Sequence, residues 1–426
     1  MSALLPLLTG NADARWVAAA SSADDRAAAR AGAAVVEGLE LTLLDVDERV
    51  QRLHVDLFCN ATLWFLHHGL FDLVRRPRFD RRFRDAWNAY IAVNGQFADA
   101  IAADASKREV VIVNDYHLAL VPALLRERRP DLRVLHFTHT PFCGPDSIRA
   151  LPDDVAAAIC GSLAGGPAGF HTARWAGAFA ASATAALGSA PASAPFVAAL
   201  GPDADALTAD RARPDVAAAR DALSAIVDDR IVIMRSDRIE PSKNLVRGFL
   251  AFDLLLESRR DLRGRVVFVA MVYASRQGLA EYLAYASEVE QVVDRVNERW
   301  ATAGWQPIVL DARDDYARTV AGFERYDVLL VNPLKDGMNL VAKEGPLLNQ
   351  RDGVVCLSRE AGAFDELAPA VEMVHPFDLD QTAAALRAAV DLDPEARATR
   401  AAHLRALAGS RSPKVWLDDL VSQLPA

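Results

Sequence analysis

The chain predicts an α/β protein made of two doubly wound, Rossmann-like domains, and three observations carry that expectation. Its 426 residues exceed what one compact core holds, so two domains of about 200 residues each are expected. Short runs of branched apolar residues alternate with segments of helical periodicity, once over residues 1–201 and again over 202–400. Several apolar runs end in polar clusters, and ligands of open parallel sheets gather at the carboxyl ends of the strands.

Hydrophobic content of 52% and charged content of 24% are those of a globular protein. A net charge of -10 argues against nucleic acid as a partner. No apolar run reaches the roughly 18 residues that span a bilayer, and residues 1–8 lack the pattern of a signal peptide, so a cytoplasmic protein without a membrane partner is expected. Small-molecule substrates are the expected partners, and self-association is left open. Cys59, Cys143, Cys160 and Cys356 are widely spaced, with no CxxC pair, which indicates neither a disulfide framework nor a zinc site.

Taken in order, residues 2–8 suggest the end of a helix and 15–20 a strand, so the chain is expected to open inside a first helix. Residues 41–44 form a second strand. Residues 56–71 form a largely apolar helix carrying Trp64, with His67 and His68 expected to be partly exposed and without catalytic duty. A long amphipathic helix follows over 83–104. The strand at 110–113 has no polar alternation, as in the middle of a parallel sheet buried on both faces, and it ends in Asn114-Asp115-Tyr116-His117. Helix 118–129 leads to strand 134–137, which ends in Thr138-His139-Thr140. Two consecutive strands thus deliver Asp115 and His139 to one sheet edge. A short strand ends at Gly169-Phe170-His171-Thr172, helix 173–187 follows, and residues 194–201 close the domain.

The second domain begins with strand 230–234, and Arg238 and Lys243 fall in the turn that leads to helix 245–257. Further strands are expected at 266–271, 307–310, 328–331 and 353–357, separated by helices. The stretch 331–344, VNPLKDGMNLVAKE, reads as strand, loop and helix N-terminus. Backbone N–H groups around Gly337, Met338, Asn339 and Leu340 suit phosphate oxygens, Asp336 suits sugar hydroxyls and Glu344 a ribose diol. Two cations in one turn and a helix start in another predict a diphosphate site, the competing reading being two ordinary solvated loops. No GxGxxG, Walker loop or GxSxG motif occurs.

The series Asn114-Asp-Tyr-His-Leu, Thr138-His-Thr-Pro-Phe, Gly169-Phe-His-Thr, Asp237-Arg-Ile-Glu-Pro-Ser-Lys243, Asp336-Gly-Met-Asn-Leu-Val-Ala-Lys-Glu344 and Leu357-Ser-Arg-Glu-Ala-Gly362 resembles the trehalose-6-phosphate synthase family of retaining glycosyltransferases, in the same order over nearly the whole chain. The resemblance implies a GT-B architecture, two Rossmann-like domains facing across a cleft with a closing helical segment over 401–426 that returns to the first domain, and transfer of glucose from an NDP-glucose to a phosphorylated acceptor, glucose 6-phosphate first. It implies that Arg238 and Lys243 hold the diphosphate, Glu344 the ribose, and Asp336 with the amides of residues 337–340 the sugar and phosphate. It places His139 against the transferred sugar, Asp115 and Trp64 at the acceptor, and Arg276 near the acceptor phosphate. No metal or other cofactor is expected. The family opens with a strand, a basic residue and a Gly-Gly turn that this sequence starts just past. Ile239-Glu240-Pro241 replaces the more usual Leu-Asp-Tyr, Asn244 a glycine, and Val55 a tyrosine. These departures resemble the pseudo-glycosyltransferases that couple a nucleotide-linked cyclitol to a phosphorylated amine. A polyol-phosphate glucosyltransferase or an inactive nucleotide-sugar-binding paralogue would carry the same motifs.

Overall fold

A computed structural model describes residues 7, 14–32, 34–36 and 39–424. Apart from Leu7, the helix end expected at 2–8 lies outside the described residues. The chain divides into two compact units, Met1–Leu200 together with Pro413–Ala426, and Gly201–Ser412. Residues 401–412, expected with the terminal segment, therefore belong to the second unit.

In the first unit β1 (Arg15–Ala19), β2 (Ala34–Val36) and β3 (Leu39–Leu44) form one sheet in the order β1-β3-β2, with β1 parallel and β2 antiparallel to β3. A second sheet runs β4 (Val110–Asn114), β5 (Arg133–Thr138), β6 (Ala168–Phe170) and β7 (Phe196–Val197), all parallel. This corrects the central position expected for 110–113. β4 is an edge strand whose other side faces β1 over a groove of about 470 Å³, and only Val113 of the strand is buried. Arg15 closes one end of that groove, reaching Asp104 at 2.5 Å and Glu109 at 2.6 Å.

The helix expected at 56–71 starts earlier and is partly wound wider. Asp47 accepts from the N–H groups of Arg49 and Val50, and Glu48–Arg52 leads into a π-helical stretch, Leu53–Trp64, and a last turn, Phe65–His68. Gly69 ends it at φ 67, a left-handed conformation that glycine adopts at no steric cost. Phe58 packs on Tyr90 and Trp87 of the long helix Arg81–Asp104, with ring centroids 4.4 and 5.1 Å apart. His67 and His68 are 1% and 7% exposed, which overturns the expectation of partly exposed side chains. The reason is packing: His68 Nδ1 bonds the Trp64 carbonyl at 2.8 Å, and His67 Nδ1 accepts from the Cys143 N–H at 3.3 Å.

The second unit holds one parallel sheet of six strands in the order β10-β9-β8-β11-β12-β13. These are β8 (Ile231–Ile239), β9 (Val266–Ala274), β10 (Ile308–Asp311), β11 (Val328–Val331), β12 (Val354–Ser358) and β13 (Glu372–Val374), the last not foreseen from sequence. Helices cover both faces, and the core holds Phe249, Phe252 and Leu255 from one helix against Phe268, Leu330 and Cys356 from the sheet. Burial of such side chains, about 1.5–3 kcal/mol each, is what holds the strands in register. The register runs from Ile231 opposite Val266 to Ile239 opposite Ala274. β8 therefore continues past the expected end at 234, and Arg238 lies within the strand rather than in the turn.

Candidate functional site

Polar side chains collect at the carboxyl ends of strands in each unit. In the first, β4 ends at Asn114, and Asp115 takes φ 62, a conformation costly for a residue with a Cβ. Hydrogen bonds hold it there. The Asp115 N–H donates to the Phe137 carbonyl at 2.7 Å. Its Oδ1 accepts from the N–H groups of His139 and Thr140 at 3.2 and 3.4 Å and from the Thr140 hydroxyl at 3.3 Å. From below, the buried Tyr90 hydroxyl donates to the Tyr116 carbonyl at 2.7 Å, and the Asn94 amide donates to the His117 carbonyl at 3.2 Å.

Strand ends β4 and β5 do bring Asp115 and His139 together. His139 Nε2 bonds Asn114 Oδ1 at 3.0 Å, and its ring lies 5.2 Å from His171 and 5.7 Å from Trp416 of the terminal segment. Burial pushes the His139 imidazole below its ordinary pKa, against the opposing pull of Asp115. Burial alone would raise the Asp115 carboxyl, but His139, His117 and the surrounding N–H groups outweigh it and hold the group below its usual value. The two groups thus share one hydrogen-bonded cluster at this sheet edge. Trp64 takes a different place: it is 2% exposed and stacks on His68 at 4.2 Å, so protein covers its indole.

In the second unit β8 carries Arg238 and leads through Pro241–Lys243 into the helix Leu245–Ser258. Arg235 braces this turn from beneath. Fully buried, its guanidinium bonds Asp237 Oδ2 at 2.7 Å and the Lys243 carbonyl at 2.9 Å. Gly248 leaves it room, since a Cβ there would lie 2.7 Å from Arg235 Nη1. Asn244, at φ 59, donates to the Asn332 carbonyl at 3.0 Å, and Asn332 donates back to the Asn244 carbonyl at 3.2 Å. The basic turn is thereby tied to the end of β11.

Beyond β11, Asp336 faces that turn. Lys243 Nζ donates to Asp336 Oδ2 at 2.6 Å, and the Asn339 amide donates to the same oxygen at 3.0 Å. Gly362 is required here because a Cβ would lie 1.9 Å from the Gly337 carbonyl oxygen. The helix Val341–Leu348 begins with Leu340, which offers no side-chain cap, while Asn339 Oδ1 accepts from the Ala342 N–H at 3.3 Å. Gly337, Met338 and Asn339 are buried in this loop, and Glu344 lies in the first turn, its carboxyl pushed up to about 7 by burial. Lys343, on the same helix, is buried and paired with Glu366 at 2.9 Å.

Arg276 lies just past β9 at φ 46. It bonds the Tyr282 hydroxyl, and its Nη1 is 3.7 Å from Glu240 Oε1. The sequence marks Glu240 only as a departure from a motif and gives no role to His171, Trp416 or Glu366. Glu240 does carry a signal, an acid one residue past a strand and between two site cations. The other three meet their partners only through tertiary packing.

A sequence profile of Glycosyltransferase family 20 matches residues 2–426. The alpha,alpha-trehalose-phosphate synthase [UDP-forming] 1 of Arabidopsis thaliana is 30% identical over 97% of this chain, and the chain spans 45% of that protein. Validamine 7-phosphate valienyltransferase of Streptomyces hygroscopicus subsp. jinggangensis is also 30% identical, over 96% of this chain and 85% of its own length. Among solved structures, an alpha,alpha-trehalose-phosphate synthase (UDP-forming) from Burkholderia vietnamiensis is similar with a TM-score of 0.87 at 28% identity, covering 99% of this chain and 94% of the other. A counterpart from Burkholderia xenovorans in complex with glucose-6-phosphate gives 0.83 at 25% identity, covering 96% and 99%.

Proposed function

The chain belongs to glycosyltransferase family 20, and from that premise we propose that it transfers glucose, with retention, from an NDP-glucose to glucose 6-phosphate. The observation that carries the reading is the meeting of Lys243 with Asp336 beside the start of the helix Val341–Leu348. A diphosphate entering there exchanges places with the Asp336 carboxylate on Lys243 and finds Arg238, 43% exposed, on the neighbouring strand. Asp336, released from Lys243, accepts from sugar hydroxyls, and Glu344 takes the ribose. His139 and Asp115 serve the transferred sugar and the acceptor, and Arg276 the acceptor phosphate. Trp64, covered by His68, shapes the first unit's site without touching substrate.

In the reaction the acceptor hydroxyl oxygen forms a bond to the anomeric carbon on the face that the diphosphate leaves. The bond from that carbon to the phosphate oxygen breaks, and the hydroxyl proton passes to the leaving phosphate. Lys243, Arg238 and the helix N–H groups stabilise the charge that develops, so no metal or cofactor is required. Incubation with UDP-, GDP- and ADP-glucose and glucose 6-phosphate tests this. A phosphorylated non-reducing disaccharide is expected, and its absence with all three donors would overturn the reading.

A second reading rests on the replacement Ile239-Glu240-Pro241 and on the likeness to the valienyltransferase, which this chain matches over more of its length than it does the Arabidopsis synthase. Here the acceptor is a phosphorylated aminocyclitol. Including validamine 7-phosphate and a nucleotide-linked cyclitol in the same panel separates the two.

A further inference from the structure

Glu240 is 1% exposed, and a buried carboxylate persists only where cations or donors compensate it. One of its oxygens, Oε1, collects three groups: Arg238 Nη1 at 3.2 Å, Arg276 Nη1 at 3.7 Å and the Ser275 hydroxyl at 3.0 Å. Strand register explains the convergence. β8 and β9 are parallel, with Arg238 opposite Tyr273 and Ile239 opposite Ala274, so the next residues outward are Glu240 on one strand and Ser275 on the other. Arg276 follows at φ 46, a backbone conformation that is strained for a residue with a Cβ and persists where the surroundings anchor it.

We propose that Glu240 is a positioning residue shared by two anion sites, holding Arg238 for the donor diphosphate and Arg276 for the acceptor phosphate at one spacing. This rests on the function proposed above and deepens it. The two sites then do not behave independently, because each ligand draws on a guanidinium tied to the same carboxylate, and any coupling between them is reciprocal.

The test measures dissociation constants of UDP and of glucose 6-phosphate by calorimetry for the wild type, Glu240→Gln, Arg238→Ala and Arg276→Ala. Arg238→Ala should weaken UDP most and Arg276→Ala glucose 6-phosphate most, while Glu240→Gln weakens both by about tenfold in a variant that still melts cooperatively. Adding either arginine substitution to Glu240→Gln should cost less than the product of the separate losses. Unchanged affinities in Glu240→Gln, loss of one ligand only, or multiplicative losses in the double variants would each overturn the inference. Tighter binding would do so too, since Glu240 would then merely neutralise the arginines. Should the Gln variant fail to fold, Glu240→Asp keeps the charge on a shorter arm, and it must weaken both ligands for the inference to stand. A wild type that binds neither ligand refutes the proposed function first, and the inference with it.

Discussion

At the strand ends of the first unit the polar groups are imidazoles and one carboxylate held by N–H donors, whereas in the second they are cations matched to carboxylates. Seven of the nine histidines, at 54, 67, 68, 117, 136, 139 and 171, belong to the first unit. His54 and His136 are buried, and burial pushes each imidazole down to about 4. The second unit instead places Lys243 on Asp336, Lys343 on Glu366, and Arg238 and Arg276 on Glu240. A site of neutral donors and acceptors suits sugar hydroxyls, and one of exchangeable ion pairs suits a diphosphate. The difference teaches that strand ends of similar topology can carry two electrostatic styles, and the proposed function assigns them different tasks.

The largest expected effect strikes the second style. Lys243→Ala takes its ammonium away from Asp336 and removes the cation proposed for the diphosphate, a charge-assisted partner of about 1.5–3 kcal/mol. Transfer should fall by about tenfold to a hundredfold, and Arg238→Ala by somewhat less because that side chain is partly exposed. Steady-state kinetics with a thermal melt to confirm folding provides the check; a normal rate would break the assignment of the second unit to the donor.

Acid separates the units next. His54 and His136 have folded-state pKa values of about 4 against an unfolded value near 6.5, so between those limits the unfolded chain binds protons that the folded one does not. Stability of the first unit is therefore full above pH 6.5 and is lost as pH falls towards 4, by about 3 kcal/mol for each histidine. Glu344 works in the opposite sense. Its folded value, raised to about 7, means that its contribution is present below the unfolded value near 4.5 and is lost as pH rises through 7. Hydrogen exchange on the whole chain, read unit by unit from pH 7 to 4.5, should show residues of β4 and β5 opening before those of β8 and β9. Simultaneous opening would break the comparison.

Much of this is legible in the amino-acid sequence, for a physical reason. Parallel strands buried on both faces announce themselves as runs such as 328–331, and the polar residues next along the chain, Asp115, His139 and Asp336, fall at their carboxyl ends. Edges and widened helices leave weaker marks. Residues 110–113 are as apolar as a central strand, yet they border the groove facing β1, and nothing in composition separates the two cases. The extension of β8 through Arg238 is hidden because Arg235, Asp237 and Arg238 look like a turn; Arg235 and Asp237 neutralise each other inside the strand. Burial of His67 and His68 depends on partners distant in sequence or on the far side of a turn.

A smaller effect belongs to Glu344. With its carboxyl near half ionisation at pH 7, binding of a ribose diol through the carboxylate should strengthen as pH rises from 6 to 8. Glu344→Gln should flatten that profile and raise the donor KM by several-fold, about what one hydrogen bond to a charged group supplies. A donor KM independent of pH in the wild type would show that Glu344 does not face the ribose.

The smallest expected effect is that of a chelator. Enzymes that bind a nucleotide-sugar through a divalent ion neutralise the diphosphate with the metal and hold the metal with acidic side chains. Here the acids nearest the proposed diphosphate site are already engaged: Asp336 accepts from Lys243 and Asn339, and Glu240 from Arg238, Arg276 and Ser275. Among the described residues no group of three or more His, Cys, Asp or Glu side chains is arranged to hold a metal ion. Lys243 and Arg238 bring two positive charges, matching those of a divalent ion, so EDTA should change the transfer rate by less than about twofold. Complete loss on chelation, restored by magnesium or manganese, would mean that the carboxylates of the second unit let go of their cations to bind a metal, and the contrast drawn between the units would have to be redrawn around that ion.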